Sequence, residues 1–283
     1  MPSLKEVRLR ISSVDSTKQI TSAMKMVSAS KLRRAQNAIL KLRPYAHKIQ
    51  EILQDLSASV ENSDEDGFYN ERPAENILLV AVSSNRGLCG GFNSNVIRSV
   101  NKQIHEHYQN QEKKGKVHLM TIGKKSSEYF TKRKFHIISK HDEIFDELTF
   151  ENTSQIAEKL MTLFLEKEYD KIEIIYNRFK NAAVQHVTIE QYLPVLPLAN
   201  EKEKNIAVDY IFEPDKETIV KELIPKSLKI QLFKVFLDSF ASEHGARMTT
   251  MHKATDNATE ILRDLKLSYN KARQASITKE ILE

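Results

Sequence analysis

The sequence predicts an α/β protein with a long antiparallel two-helix coiled coil, made from the two ends of the chain, and a smaller α/β domain inserted between them. Three observations lead there. Both ends carry heptad spacing with almost no helix breakers, the middle alternates strand-like and helical segments, and an acidic polar stretch follows the first end.

Residues 1–60 contain no glycine, and their prolines are Pro2 and Pro44. With Leu4 at position a, the a/d steps fall on Leu4, Val7, Ile11 and Val14, then on Leu32, Ala35, Ile39, Leu42, Ala46, Ile49, Leu53, Leu56 and Val60. Between these runs the register lands on Lys18, Thr21, Lys25 and Ser28, while Ile20, Met24 and Val27 sit off it. The apolar stripe is therefore expected to change face within ITSAMKMVSASK. Eleven basic residues against four acidic ones make this segment +7, a charge that suits an acidic partner.

Residues 61–76, ENSDEDGFYNERPAEN, are polar and acidic enough to act as a linker between the first helix and the inserted domain. From 77 to 205 the pattern is Rossmann-like. NILLVAV (76–82), VHLMTI (117–122), FHIIS (135–139), KIEIIYN (171–177) and VQHVTIEQYL (184–193) read as strands, with helices over about 94–110 and 153–167. Strands alternating with helices imply a mostly parallel sheet.

Residues 206–283 close the pattern. Pro225 suits a helix start or a kink, and beyond it Gly245 is the only glycine. Ala241, His244, Met248, Met251, Thr255, Ala258, Leu262, Leu265, Tyr269, Ala272 and Ser276 follow alternating three- and four-residue steps, with His244 a candidate buried polar residue specifying register. Two helices of roughly 55 residues would each run about 80 Å, too long to pack inside one globule.

The whole chain has 283 residues, 40% apolar content and a formal charge of +5. A lone Cys89 excludes an intramolecular disulfide and a cysteine-rich metal site, as expected in a reducing compartment. No run approaches 18 apolar residues and no signal peptide is evident, which suggests a soluble, cytoplasmic chain.

Three of the seven glycines, Gly87, Gly90 and Gly91, fall in SSNRGLCGGFN, between an apolar strand and a helix. That outline suits a phosphate-cradling loop, but neither GxxxxGK[ST] nor GxGxxG is present, and a tight strand-to-helix turn explains it as well. TIGKKSSEYF lacks the upstream glycine of a phosphate loop and reads as chance, with solvated lysines. HEH at 105–107 puts its imidazoles on different faces, and no catalytic constellation emerges. Two alternatives to a mechanical role stay open: a nucleotide-binding α/β protein with coiled-coil extensions, and a nucleic-acid-binding coiled coil. Against the latter, the basic N-terminal helix has no aromatic interleaving before Tyr45.

SLKEVRLRISSVDSTKQITSAMKMVSASKLRRAQ, SSNRGLCGGFN and FASEHGARMTTMHKATDNATEILRDLKLSYNKARQASITKEILE, in this order, resemble the gamma subunit family of F-type ATP synthases, bacterial type. The resemblance runs end to end. It implies a non-catalytic rotor shaft, without cofactor or metal, set in a head of alpha and beta subunits. The inserted domain is then expected near the epsilon subunit and the membrane-embedded c-ring, with no nucleic acid among the partners. It implies partner contacts to beta at Met24, Lys25, Arg86, Cys89 and Arg247, and at Arg273, Gln274 and Thr278 higher in the head. Asn85 stands where the family often has Asp, Gly245 takes a helical position usually given to a better helix former, and the paired-cysteine insertion of chloroplast members is absent. The start at PSLKEV suggests a bacterial source, peripheral on the cytoplasmic face of the plasma membrane; the end at Glu283 falls a few residues short of a common tail.

Overall fold

The computed structural model describes residues 4–57, 67–195 and 216–282. Helix α1 spans Leu4–Ser57 and helix α6 spans Lys216–Leu282. Between them lie strands β1 (Ile77–Val82), β2 (Val117–Ile122), β3 (Ile137–His141), β4 (Lys171–Phe179) and β5 (Gln185–Leu193). The intervening helices are α2 (Phe92–His107), α3 (Gln109–Lys113), α4 (Lys124–Lys132) and α5 (Phe150–Leu165). The expected helical position Val60, residues 61–66 of the acidic linker and the junction at 205/206 lie outside the described residues.

The sheet runs in the order β3-β2-β1-β4-β5. Its first four strands are parallel and β5 pairs antiparallel with β4, so the sheet is mixed at one edge. The central strand ILLVAV is buried along its whole length, as a strand covered on both faces must be. Alternation then sorts its side chains. Leu78, Val80 and Val82 join Ile156, Leu160, Phe164, Leu228, Val235 and Phe236 under α5 and α6; Ile77, Leu79 and Ala81 join Val96, Val100, Ile104 and Phe130 under α2 and α4.

Helix α6 thus has two jobs. Leu228, Val235 and Phe236 make it a layer of the inserted domain, and from Leu237 and Ala241, which pack with Leu32, Ala35 and Ile39, it pairs with α1. At 67 residues it extends on the order of 100 Å.

The two long helices pair antiparallel in one register. Thr255 Oγ1 donates to Thr21 Oγ1 at 2.9 Å, and Lys25 Nζ lies 3.2 Å from His252 Nδ1. The expected change of face in α1 does not occur. Thr21 and Ser28 are buried and Lys18 and Lys25 half-buried on the original heptad positions, whereas of the expected off-register residues Ile20 and Val27 face out at 59% and 57% exposure and Met24 is half-buried. Hydroxyls tolerate this seam because they bond to one another or to their own helix, as Ser28 Oγ does to Met24 O at 2.8 Å.

TIGKKSSEYF is also more than solvated lysines. Gly123, at φ 91°, starts α4, and a Cβ there would sit 2.2 Å from Ser83 O. Ser126 and Ser127 are buried beneath it, so the string is a packed strand-to-helix turn.

Candidate functional site

In a doubly wound sheet the ligand crevice opens at the carboxyl ends of the strands, where the strand order reverses. Here that point lies beyond β1 and β4, and the loop from Ser83 to Gly91 borders it. A phosphate bound there would need free backbone donors at helix N-termini. The first N–H groups of α4 are already taken. Ser126 N donates to Ser83 Oγ at 2.9 Å, Lys125 N to Ser84 O at 3.1 Å and Lys124 N to Asn85 Oδ1 at 3.1 Å. Asn85 therefore caps α4 from the β1–α2 loop, a task an aspartate could also perform.

The shaft closes the rest. Gly245 lets α6 approach the β4–β5 connection so closely that a Cβ would lie 3.2 Å from Ala182 Cα and 3.3 Å from the Phe179 ring. Its penalty as a poor helix former is thus offset by contact. Thr249 Oγ1 donates to Ala182 O at 2.9 Å beside it. Two residues after Gly245, Arg247 Nη2 donates to Arg86 O at 3.1 Å and Gly87 O at 3.3 Å, while Nη1 reaches Glu243 Oε1 at 2.6 Å. The glycine loop turns carbonyls toward a cation of its own chain, the reverse of what a phosphate needs. The nucleotide-binding alternative loses its site.

The node is dry. Arg247 and Glu243 are both buried, and burial holds the Glu243 carboxyl above the ordinary range even though Arg247 pulls it down. His244 packs edge-on against Phe240, and burial, with the charges of Arg247 and Lys31, lowers its pKa to about 3, so it stays neutral. Cys89 is 1% exposed, clustered with Phe92 and Ala246, and burial raises its thiol pKa. Ser84 Oγ donates to Arg86 O at 2.7 Å, and Asn93 Nδ2 donates to Ser84 Oγ at 2.9 Å, fixing the loop from within.

The structure gathers some expected contact residues and separates others. Arg86, Cys89 and Arg247 meet in this node, and Met24 and Lys25 lie half-buried on the facing helix at the level of His252. Arg273, Gln274 and Thr278 are exposed toward the far end of α6, about 40 Å beyond Arg247 at 1.5 Å per residue. Direct partner contact through Cys89 needs correction: its side chain is enclosed by its own turn. Arg247 likewise spends its donors within the chain.

Sequence reasoning missed the roles of Glu243 and Asn85. Glu243 had a signal, since it stands four residues before Arg247 on a helix. Asn85 was visible only as a departure from the resemblance. Among the described residues no group of three or more His, Cys, Asp or Glu could hold a metal, and no helix is long and apolar enough to cross a membrane.

Residues 3–283 match the family model described as ATP synthase. The chain is 56% identical over 283 residues to the ATP synthase gamma chain of Christiangramia forsetii, covering 100% of this chain and 96% of the relative. It is 57% identical over 284 residues to that of Flavobacterium johnsoniae, with the same coverage. Among solved structures, the rotor of the Euglena gracilis mitochondrial ATP synthase aligns with TM-score 0.68 at 22% identity, covering 97% of this chain and 98% of the other. At that identity the likeness concerns the fold.

Proposed function

The chain belongs to the ATP synthase gamma-chain family, and from that premise we propose how its residues serve as the central shaft between an ion-driven c-ring and the catalytic alpha–beta head. The gamma chain is the non-catalytic rotor subunit; the complex is the enzyme. Ion flow turns the ring, the shaft turns with it, and its asymmetric surface carries each beta subunit through its catalytic states.

The observation that carries this reading is α6 itself, one helix that is both a layer of the inserted domain and half of the coiled coil. The domain forms the foot, toward the epsilon subunit and the c-ring, and the paired helices enter the head. Arg86, Arg273, Gln274 and Thr278 are exposed polar contacts there, with Met24 and Lys25 beside the seam. Cys89 and Arg247 act from beneath by holding the loop that presents Arg86. Exposed polar contacts of about 1 kcal/mol or less each suit a rotor, because they can be exchanged stepwise as the shaft passes successive partners. The complex sits on the cytoplasmic face of a bacterial plasma membrane.

Reconstitution tests this. Alpha and beta subunits assembled with the chain are expected to give an ATPase in which a bead fixed to the chain rotates. An assembly whose activity is indifferent to leaving the chain out would sink the reading.

A further inference from the structure

Helices α2 and α4 lie side by side on the sheet face opposite α5 and α6, so the seam between them turns away from the shaft. An open groove of about 610 Å³ follows that seam from Asn93 to Asn101, a run of about 12 Å or two helical turns. Its floor is apolar, made by Ile97 and Tyr129, each half-buried against the core beneath. The groove is built before anything binds. Asn101 Nδ2 donates to Tyr129 Oη across the seam at 3.2 Å, and the Arg133 guanidinium lies 4.7 Å from the centroid of the Tyr129 ring.

The charges around this floor are one-sided. Arg98, Lys125 and Lys132 line it against a single carboxylate, Glu128, which Lys125 Nζ already holds at 2.8 Å. Arg98 and Lys132 are exposed and make no ion pair among the described residues. Lys125 and Lys132 stand at opposite ends of α4, about 10 Å apart along its axis, with Arg98 on the facing helix. That spread is too wide for one phosphate and suits carboxylates spaced along a peptide.

We propose that the α2–α4 groove is a docking surface for an acidic amphipathic helix of a protein outside the rotor and the head. Its apolar side chains seat on Ile97 and Tyr129, and its carboxylates meet Arg98 and Lys132, the helix-in-groove mode of recognition. A groove held at fixed width leaves the ordering cost to the incoming helix alone. This surface is separate from the expected beta contacts, which lie on the coiled coil and the glycine loop, and a partner seated on it travels with the shaft.

The probe is a fluorescein-labelled peptide of about 15 residues, long enough to hold a helix, with leucines along one face and glutamates flanking them. It is titrated by fluorescence anisotropy against the free chain and against the complex assembled with alpha, beta and epsilon subunits. It is expected to bind both, about tenfold or more tighter than a scrambled peptide of the same composition. Combining Arg98→Glu with Lys132→Glu is expected to weaken it about tenfold or more, and a peptide with lysines in place of the glutamates is expected to prefer this double variant to wild type. Equal binding of the scrambled peptide overturns the proposal, because charge alone would then be the attraction. Unchanged binding to the double variant, or a lysine peptide with no preference for it, overturns it too, since the site would lie elsewhere on the chain. Binding that vanishes in the assembled complex also overturns it, because the groove would then be an interface within the machine. Phosphatidylglycerol vesicles that bind wild type through Arg98 and Lys132 more tightly than the peptide does would assign the surface to a membrane instead.

Discussion

Replacing Arg247 with methionine, which keeps the length of the side chain and removes its charge and donors, should destabilise the junction of loop and shaft by about 3–5 kcal/mol. Arg247 and Glu243 side chains are 8% and 9% exposed, so the loss leaves a buried carboxylate without its partner. The Arg86 and Gly87 carbonyls lose their donor too, but they can turn toward solvent as the loop loosens, so their bonds are not added in full. The pH dependence sharpens the prediction. Glu243 already titrates above its ordinary range, and Arg247 opposes that shift, so removing Arg247 raises it further. A folded-state pKa above the unfolded one adds stability that is complete at low pH and is lost as pH rises through it. Arg247 also depresses His244, so its removal eases the charging of that imidazole in acid. Both groups make the deficit largest near about pH 8 and smaller near about pH 5. Denaturant unfolding at the two pH values, with hydrogen exchange of residues 84–91 as the local probe, measures it. The double variant Glu243→Gln, Arg247→Met, which strands no charge, should recover about half the loss. A deficit below about 1 kcal/mol, or one independent of pH, would refute the account of the node as a desolvated ion pair.

The other predictions concern the cap, the close approach and the seam. Asn85→Ala should cost about 1 kcal/mol by removing the acceptor for Lys124 N, and Asn85→Asp should retain or exceed the native stability, measured by thermal melting. Gly245→Ala should lose about 1 kcal/mol net despite better helix propensity, because the new methyl meets Ala182 and Phe179; a stabilised variant would mean that the β4–β5 connection yields freely. Met24→Lys should impair coupling more than folding, since it places a second charge beside Lys25 where the shaft meets its partners. Normal ion pumping with unchanged ATPase activity in the assembled Met24→Lys complex would count against that placement.

Much of the architecture could be read from spacing alone, because a seam or a buried strand repeats its demand many times over. The predicted seam positions Ala241 to Ser276 are all buried or half-buried, and the five strands lie where apolar runs placed them, with β3 shifted two residues toward His141. Features that depend on distant partners were invisible. Thr21 looks misplaced in a coiled coil until Thr255, 234 residues away, is beside it. Helix α4 hid behind lysines and serines because its start is specified by Ser83, Ser84 and Asn85 rather than by its own cap. The junction was legible only through resemblance, and its inner logic, carbonyls gripped by Arg247, is visible only in the folded chain.

Because α6 passes from the sheet into the coiled coil without interruption after Pro225, the machine has no joint where play could accumulate. A drive train coupled by a hinge turns through a dead angle before load is felt. Here angular displacement of the foot is displacement of the same backbone that carries the shaft, so backlash is absent and compliance must reside in the twist of the paired helices themselves.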